Sequence, residues 1–126
     1  MKILILMILA HIIDDFVLQP QCLSELKQKD YWYRKGIWKG IWKFDFLCAG
    51  LIHSISWSCM IVLPVLFLKE LTPQLELYIK WVTLANIIVH FIVDNLKANM
   101  KHINLWIDQL IHFLQIFVSY AIFTYN

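Results

Sequence analysis

The stretch Ile87–Lys97, IIVHFIVDNLK, decides how the chain is interpreted, because this apolar segment carries a histidine and, four residues later, an aspartate. His90 and Asp94 are one helical turn apart, so an α-helix places both side chains on one face. Two further segments repeat the spacing, HIIDD at 11–15 and DQLIH at 108–112. Ionisable residues inside apolar helices are costly and usually functional. The repeated pair is therefore the main clue to what the protein does.

The composition predicts a membrane protein. The chain has 126 residues, of which 60% are hydrophobic and 16% are charged, and its mean hydropathy is +0.64. Soluble domains have about a quarter charged residues, and this length allows one domain. We therefore expect an all-α integral membrane protein with a single membrane domain over 1–126, which excludes a soluble enzyme with one apolar core.

Four apolar segments are candidate transmembrane helices, at about 3–18, 44–68, 77–96 and 103–125. A crossing helix needs about 20 residues. The first segment reaches only about 24 Å at about 1.5 Å per residue, so it requires local thinning of the bilayer. Because the last two connections are short, the sequence predicts a bundle of four transmembrane helices with antiparallel neighbours.

The basic residues predict the orientation. Of the 11 Lys and Arg residues, six lie between the first two segments, two between the last two, and three on the opposite side. Basic loops stay in the cytoplasm. We therefore expect a multi-pass protein of the inner (cytoplasmic) membrane with both termini outside.

The first loop alternates aromatic and basic side chains, as YWYRKGIWKGIWKFDF at 31–46. Trp38 and Trp42 share a helical face. The basic residues of the neighbouring stripe are Lys35, Lys39 and Lys43. This pattern favours an amphipathic interfacial helix at about 29–43 on the cytoplasmic side. Two alternatives are a nucleic-acid surface, which the nearby membrane disfavours, and a docking segment at 29–46 for a cytoplasmic protein.

The polar residues of the four helices are predicted to converge. Counted from the cytoplasmic ends at about 1.5 Å per residue, all of them lie about 3–13 Å deep. An aspartate at the centre of a span costs about 2.5–3.5 kcal/mol, so these carboxyl groups must be paired, protonated, hydrated or metal-bound. One alternative is a structural knot of Asp–His hydrogen bonds. The seven residues are His11, Asp15, His53, His90, Asp94, Asp108 and His112.

Imidazole and carboxylate ligands favour a divalent metal, namely zinc, manganese or iron. Seven candidate ligands suffice for one or two ions with an activated water. Asp15 or Asp108 is a candidate general base. Three roles stay open for Lys97 at this point: it neutralises the aspartates, it binds a substrate phosphate, or it extends its amine to the membrane interface. Asp14 points about 100° away from Asp15 on a helix and is expected at the interface.

The remaining polar residues receive lesser roles. Gln19 and Gln109 are expected to support the ligands, and His102 is expected to be solvated. The cysteines have no C-x-x-C spacing, so we expect small buried thiols rather than a disulfide or a zinc ribbon. They are Cys22, Cys48 and Cys59.

Four features occur in a characteristic order: AHIIDDFVLQ, the isolated His53, HFIVDNLK and DQLIH. This order resembles the family catalogued as domain of unknown function 3307, which comprises small bacterial and phage membrane proteins. The resemblance covers essentially the whole chain and implies no mechanism. A more distant likeness is to membrane-bound metal-dependent hydrolases. The polar positions that the resemblance implies are His11, Asp15, Gln19, His53, His90, Asp94, Lys97, Asp108, Gln109 and His112.

Three functions follow from these patterns. The first is a metal-dependent hydrolase that acts on a lipid or lipid-linked phosphate from the cytoplasmic leaflet. The second is a transporter or channel for protons or divalent metal, with the His/Asp residues as a relay. The third is a non-catalytic interaction protein with a structural His/Asp core. A homo-oligomer would enlarge the site in each case, and no nucleic-acid partner is expected.

Overall fold

A computed structural model describes residues 1–36 and 40–125, with the backbone alone for 41 and 42, and this part of the chain contains helices and turns but no strand. The predicted all-α class is confirmed. The elements in chain order are α1 (Lys2–Ile13), a π-helical turn (Asp14–Leu18), α2 (Gln21–Leu26), α3 (Lys29–Arg34), a 3₁₀ turn (Gly40–Phe44), α4 (Asp45–Leu68), α5 (Pro73–Ala98) and α6 (Leu105–Tyr125).

Three helices, α4, α5 and α6, are long and apolar enough to cross a membrane, with 24, 26 and 21 residues. α5 begins at Pro73 rather than near 77, because the Thr72 hydroxyl accepts a hydrogen bond from the Leu75 amide at 3.2 Å and proline suits the first helical position. α1 has 12 residues. The crossing at 3–18 therefore stays a prediction.

The four longest helices pack side by side in a ring. α4 contacts α1 and α5, and α6 contacts α5 and α1. A glycine allows the close approach of α4 to α5: a Cβ added at Gly50 would lie 3.2 Å from Cε2 of Phe91. Small residues at helix contacts serve this purpose in membrane proteins.

The distribution of polar residues is reversed relative to a soluble protein. Among the described residues, 13 hydrophobic and 13 polar or charged residues are buried. Large apolar side chains are exposed on every long helix, such as Leu9, Ile52, Ile88 and Leu110. An apolar exterior of this extent marks a surface for lipid or another partner.

The two ends of the bundle differ in character. The core is apolar where α1 begins and α6 ends, with Met7, Ile61, Val65 and Phe123 buried against each other. Buried histidine and aspartate side chains replace it where α1 ends and α6 begins. α2, α3 and the α5–α6 turn lie next to this polar end in the chain. The polar residues thus gather at one end, as the depth calculation predicts.

The first loop differs from the predicted interfacial helix at 29–43. α3 ends at Arg34, and Gly36 follows with a φ of +71°. This left-handed conformation suits glycine and interrupts a helix. Trp38 and Lys39 lie outside the described residues, as does the side chain of Trp42.

The cysteines are free and exposed. The absence of a disulfide among Cys22, Cys48 and Cys59 agrees with the sequence, but the expectation that these thiols are buried is wrong. Cys48 and Cys59 belong to α4, whose outer face is apolar and packs against no other described helix.

A candidate metal centre at the polar end of the bundle

The carboxylate of Asp94 lies at the centre of three histidines from three helices. Its Oδ2 is 3.6 Å from Nε2 of His53 and 3.8 Å from Nε2 of His90, and its Oδ1 is 3.6 Å from Nε2 of His112. All four side chains are buried. These separations are too long for hydrogen bonds. We name the surrounding group the His/Asp cluster; its members are His11, Asp14, Asp15, His53, His90, Asp94, Asp108 and His112.

The outer nitrogen of His112 is held by Gln115. The Gln115 amide nitrogen donates to the backbone and side-chain oxygens of Asn86 at 3.2 and 3.1 Å, so its Oε1 faces His112 Nδ1 at 3.1 Å. An amide oxygen only accepts, so Nδ1 donates. In the neutral ring this leaves the Nε2 lone pair directed towards Asp94 and Asp108. Metal-binding histidines commonly have such a partner on the other nitrogen.

His53 is arranged in a similar way. Its Nδ1 lies 3.6 Å from Oδ2 of Asp14, while its Nε2 lies 3.5 Å from Oδ1 of Asp15. The Ser56 hydroxyl donates to the other oxygen of Asp14 at 2.7 Å and fixes that carboxylate. Thus His53, like His112, presents Nε2 to the centre of the cluster.

His90 differs from both, because neither of its ring nitrogens has a hydrogen-bond partner among the described residues. The ring is fully buried and packs against the rings of both Trp57 and His112, with centroid distances of 4.4 and 4.1 Å. A buried polar atom without a partner costs about 1–3 kcal/mol. Such an atom calls for a ligand or another explanation.

His11 has both nitrogens engaged. The Trp57 indole N–H donates to Nδ1 at 2.7 Å, and Nε2 lies 3.2 Å from Oε1 of Gln109. Indole nitrogen is a donor only, so Nδ1 accepts and Nε2 donates. His11 therefore orients Trp57, which stacks on His90, rather than offering a free lone pair.

Asp14 belongs to the cluster, although helical spacing predicts an interfacial position. Only 2% of its surface is exposed. The Gln19 amide donates to the Asp14 carbonyl at 2.9 Å across a π-helical turn. Asp14 begins this turn, and both consecutive carboxylates face α4, Asp14 at Ser56 and Asp15 near His53. The sequence did contain a signal for the burial of Asp14, namely two adjacent aspartates in an apolar helix.

Two lysines neutralise two of the carboxylates. Lys27 donates to Asp94 Oδ2 at 2.6 Å and is buried, whereas Lys97 donates to Asp108 Oδ2 at 2.5 Å. Asn99 holds the backbone of the Lys27 segment, since its Nδ2 donates to the Lys27 carbonyl at 3.0 Å and its Oδ1 accepts from the Lys29 amide at 2.7 Å. Sequence reasoning missed Lys27.

The cluster contains more carboxylates than ammonium groups. Four carboxylates, from Asp14, Asp15, Asp94 and Asp108, face two ammonium groups, from Lys27 and Lys97. With every carboxyl ionised and every imidazole neutral, as metal binding requires of its ligands, the formal charge would be −2. Buried charge is expensive unless compensated, and one divalent cation would balance it.

Two groups of side chains bring ligand atoms within 4.8 Å of one another, Asp15–His53–His90 and His90–Asp94–His112. Ligands about 2.1 Å from a tetrahedral zinc ion are about 3.4 Å apart. Within the groups, the separations of 3.5 Å for Asp15–His53, 3.8 Å for His90–Asp94 and 3.6 Å for Asp94–His112 are close to that value. Both groups could therefore hold a metal ion, and they share His90.

Ring orientation distinguishes the two groups. The His53 and His90 rings are inclined by 60°, so in-plane lone pairs can converge on one point. The His90 and His112 rings are nearly parallel, at 23°, so one ring must rotate before both can bind the same ion. The group Asp15–His53–His90 is the better prepared of the two.

The structure brings all seven predicted ligands together. Five contribute to the two groups: Asp15, His53, His90, Asp94 and His112. The other two, His11 and Asp108, lie beside them. Gln109 contacts the predicted ligands as a supporting residue would, because its amide nitrogen donates to Asp15 at 3.4 Å and to Asp108 at 3.2 Å. His102 is exposed, as expected.

These features define a class: a helical protein with membrane-length apolar helices and a buried His/Asp cluster that could hold a metal. The chain belongs to the family described as Protein of unknown function (DUF3307), whose family model matches residues 3–126. The resemblance noted from the sequence is thereby confirmed. No curated protein and no solved structure matches the chain.

Proposed function

We propose that the protein is a membrane-embedded, metal-dependent hydrolase that acts on a lipid or lipid-linked phosphate from the cytoplasmic leaflet. The observation that carries the proposal is His90, a buried histidine with two unpartnered nitrogens next to Asp94. A purely structural histidine would be expected to make hydrogen bonds. The basic first loop, Lys27 and Lys97 share the polar end of the bundle, which supports a cytoplasmic position for the cluster.

The proposed metal ligands are Asp15, His53, His90, Asp94 and His112. Zinc, manganese or iron bound there would lower the pKa of a bound water and so supply a nucleophile at neutral pH. His90 belongs to both candidate groups. Gln115 orients the His112 imidazole through its outer nitrogen, and the Asp14 carboxylate lies 3.6 Å from the outer nitrogen of His53.

Asp108 is the proposed general base. Its Oδ1 is buried, has no hydrogen-bond partner among the described residues, and lies 3.5 Å from His112 Nε2. It would accept a proton from the attacking water and return it to the leaving alcohol oxygen when the phosphate–oxygen bond breaks. Lys97 already contacts Asp108 and would hold the phosphate.

Phosphate release tests the hydrolase. The purified protein in mixed micelles is supplied with a lipid phosphate monoester or a lipid pyrophosphate, and with zinc, manganese or iron in turn. We expect metal-dependent release that His90→Ala abolishes and that His102→Ala, at an exposed histidine, leaves intact. A folded, metal-loaded wild type that releases no phosphate from either lipid contradicts the hydrolase.

A second candidate is the passage of protons or metal ions. The polar contacts continue from His112 through Gln115 to Asn86, whose amide donates to Ser119 at 2.8 Å. This chain extends about 10 Å beyond His112 at about 1.5 Å per residue. Proteoliposomes with an internal pH-sensitive or zinc-sensitive dye test it: flux above empty vesicles that Asn86→Leu removes would favour transport over hydrolysis.

A further inference from the structure

α5 and α6 leave an apolar groove of about 280 Å³ between them, on the exterior of the bundle. Its walls include Val82 and Val89 of α5, together with Ile111, Leu114, Val118 and Ile122 of α6. Both helices are long and apolar enough to cross a membrane. The groove thus opens where a bilayer would supply hydrocarbon.

The groove starts beside the candidate metal centre. Val89 and Ile111 line it and are the sequence neighbours of His90 and His112. From Ile111 to Ile122 it extends about 17 Å at about 1.5 Å per residue. It therefore runs from the His/Asp cluster towards the apolar end of the bundle, roughly along the helices.

The dimensions of the groove select its occupant. Its volume of 280 Å³ extends over about 17 Å, so the groove is long and narrow. A hydrocarbon chain matches both its length and its apolar walls, and a bilayer around α5 and α6 supplies such chains.

One side chain links the groove to the cluster. Gln115 lines the groove and, through Oε1, accepts the hydrogen bond from His112 Nδ1 at 3.1 Å. Asn86 and Ser119 complete this polar edge, and they bond to each other at 2.8 Å. The edge needs no polar group from the occupant, which suits a hydrocarbon.

We propose that this groove binds the hydrocarbon chain of a lipid whose polar head lies at the His/Asp cluster. The placement of the polar head depends on the proposed function, because the head would be the phosphate that is hydrolysed. The binding site for the hydrocarbon chain depends only on the groove. A lipid held in this way has its head at the polar end and its chain along the bilayer normal, as lipids of one leaflet have.

Photolabelling tests the groove. The protein is reconstituted into phosphatidylethanolamine–phosphatidylglycerol vesicles that contain a phospholipid with a diazirine in its acyl chain, and labelled residues are mapped by mass spectrometry. We expect labels concentrated on the groove walls relative to the exposed face of α4, represented by Phe67. This map in the wild type requires no substitution.

Two matched variants follow. Leu114 lines the groove and is 60% exposed, whereas Leu110, one turn away on α6, does not line it and is 69% exposed. Leu114→Trp fills the groove, so labelling of Val89 and Val118 should fall to the level of α4. Leu110→Trp adds the same side chain to the lipid-facing surface and should leave the labelling as in the wild type.

Three results separate the hypotheses. Equal labelling of α4 and the groove in the wild type would overturn the chain-binding site. A wild-type dimer that becomes monomeric in Leu114→Trp, measured by light scattering, would also overturn it in favour of a second copy. The metal content of the same samples is measured separately. Labelling of the groove in a protein that binds no metal would contradict the proposed hydrolase but not the chain-binding site. Uniform labelling in a protein that contains metal would contradict the chain-binding site but not the hydrolase.

Discussion

The substitution His90→Leu separates a metal ligand from a structural histidine. The imidazole has two buried, unpartnered nitrogens and stacks on Trp57 and His112. Removing both nitrogens relieves about 2–6 kcal/mol, and losing the two ring contacts costs about 1–3 kcal/mol. From the middle of these ranges, the leucine variant without metal should be more stable than the wild type without metal by about 2 kcal/mol.

Metal reverses this order. A metal at about 100 times its Kd stabilises the wild type by about 2.7 kcal/mol, which corresponds to a rise of about 10 °C in Tm for a domain of this size. Because His90 belongs to both candidate ligand groups, the variant should lose this rise. The assay is thermal unfolding in detergent, followed by circular dichroism, with chelator and with added zinc.

The exposed His102 provides the matched control, since His102→Leu should change neither the chelated Tm nor the zinc-induced rise. The reasoning is refuted if His90→Leu lowers the Tm of the chelated protein and retains the wild-type response to zinc. His90 would then be a structural residue.

Three further substitutions have defined outcomes. Gln115→Leu frees the outer nitrogen of His112 and should weaken metal affinity about 10–100-fold, measured by competition with a chelator; an unchanged affinity would exclude this orienting role. Lys27→Met leaves the buried Asp94 carboxylate unpaired and should destabilise the metal-free protein by about 3–5 kcal/mol; the zinc-induced rise in Tm should then exceed that of the wild type, and an equal rise would show that Lys27 and the metal do not share Asp94. Gly50→Leu should lower the Tm more than Gly50→Ala, because the larger side chain must displace Phe91; equal values would contradict close packing of α4 on α5.

The convergence of the histidines and aspartates was predictable from the sequence. Spacing of four residues fixes His90 with Asp94, and Asp108 with His112, on single helix faces. The cost of burying these groups in an apolar helix then forces the faces inwards. Both inferences depend on local geometry and hydropathy, so no knowledge of tertiary contacts was needed.

The residues that sequence reasoning misplaced depend on backbone details or on distant contacts. Asp14 faces inwards at the start of a π-helical turn, which the 3.6-residue period does not describe. Lys27 reaches Asp94 across 67 positions from a short helix end that Asn99 fixes. Neither arrangement leaves a periodic signal.

His11 illustrates the same limit for ligand assignment. Its spacing from Asp15 matches that of the other pairs, yet Trp57 and Gln109 occupy both of its nitrogens. Trp57 follows His53 by one helical turn on α4, so its face was predictable. Which nitrogen it would contact was not, because that depends on how α1 packs against α4.

The most direct test of the candidate metal centre is elemental mass spectrometry of detergent-purified protein. The wild type is compared with the double variant His90→Ala/Asp94→Ala, and both are checked for monodispersity. One or two equivalents of zinc, manganese or iron in the wild type, lost in the variant, are expected. A well-folded wild type that contains no metal, even after reconstitution with each of the three ions, would contradict the metal centre.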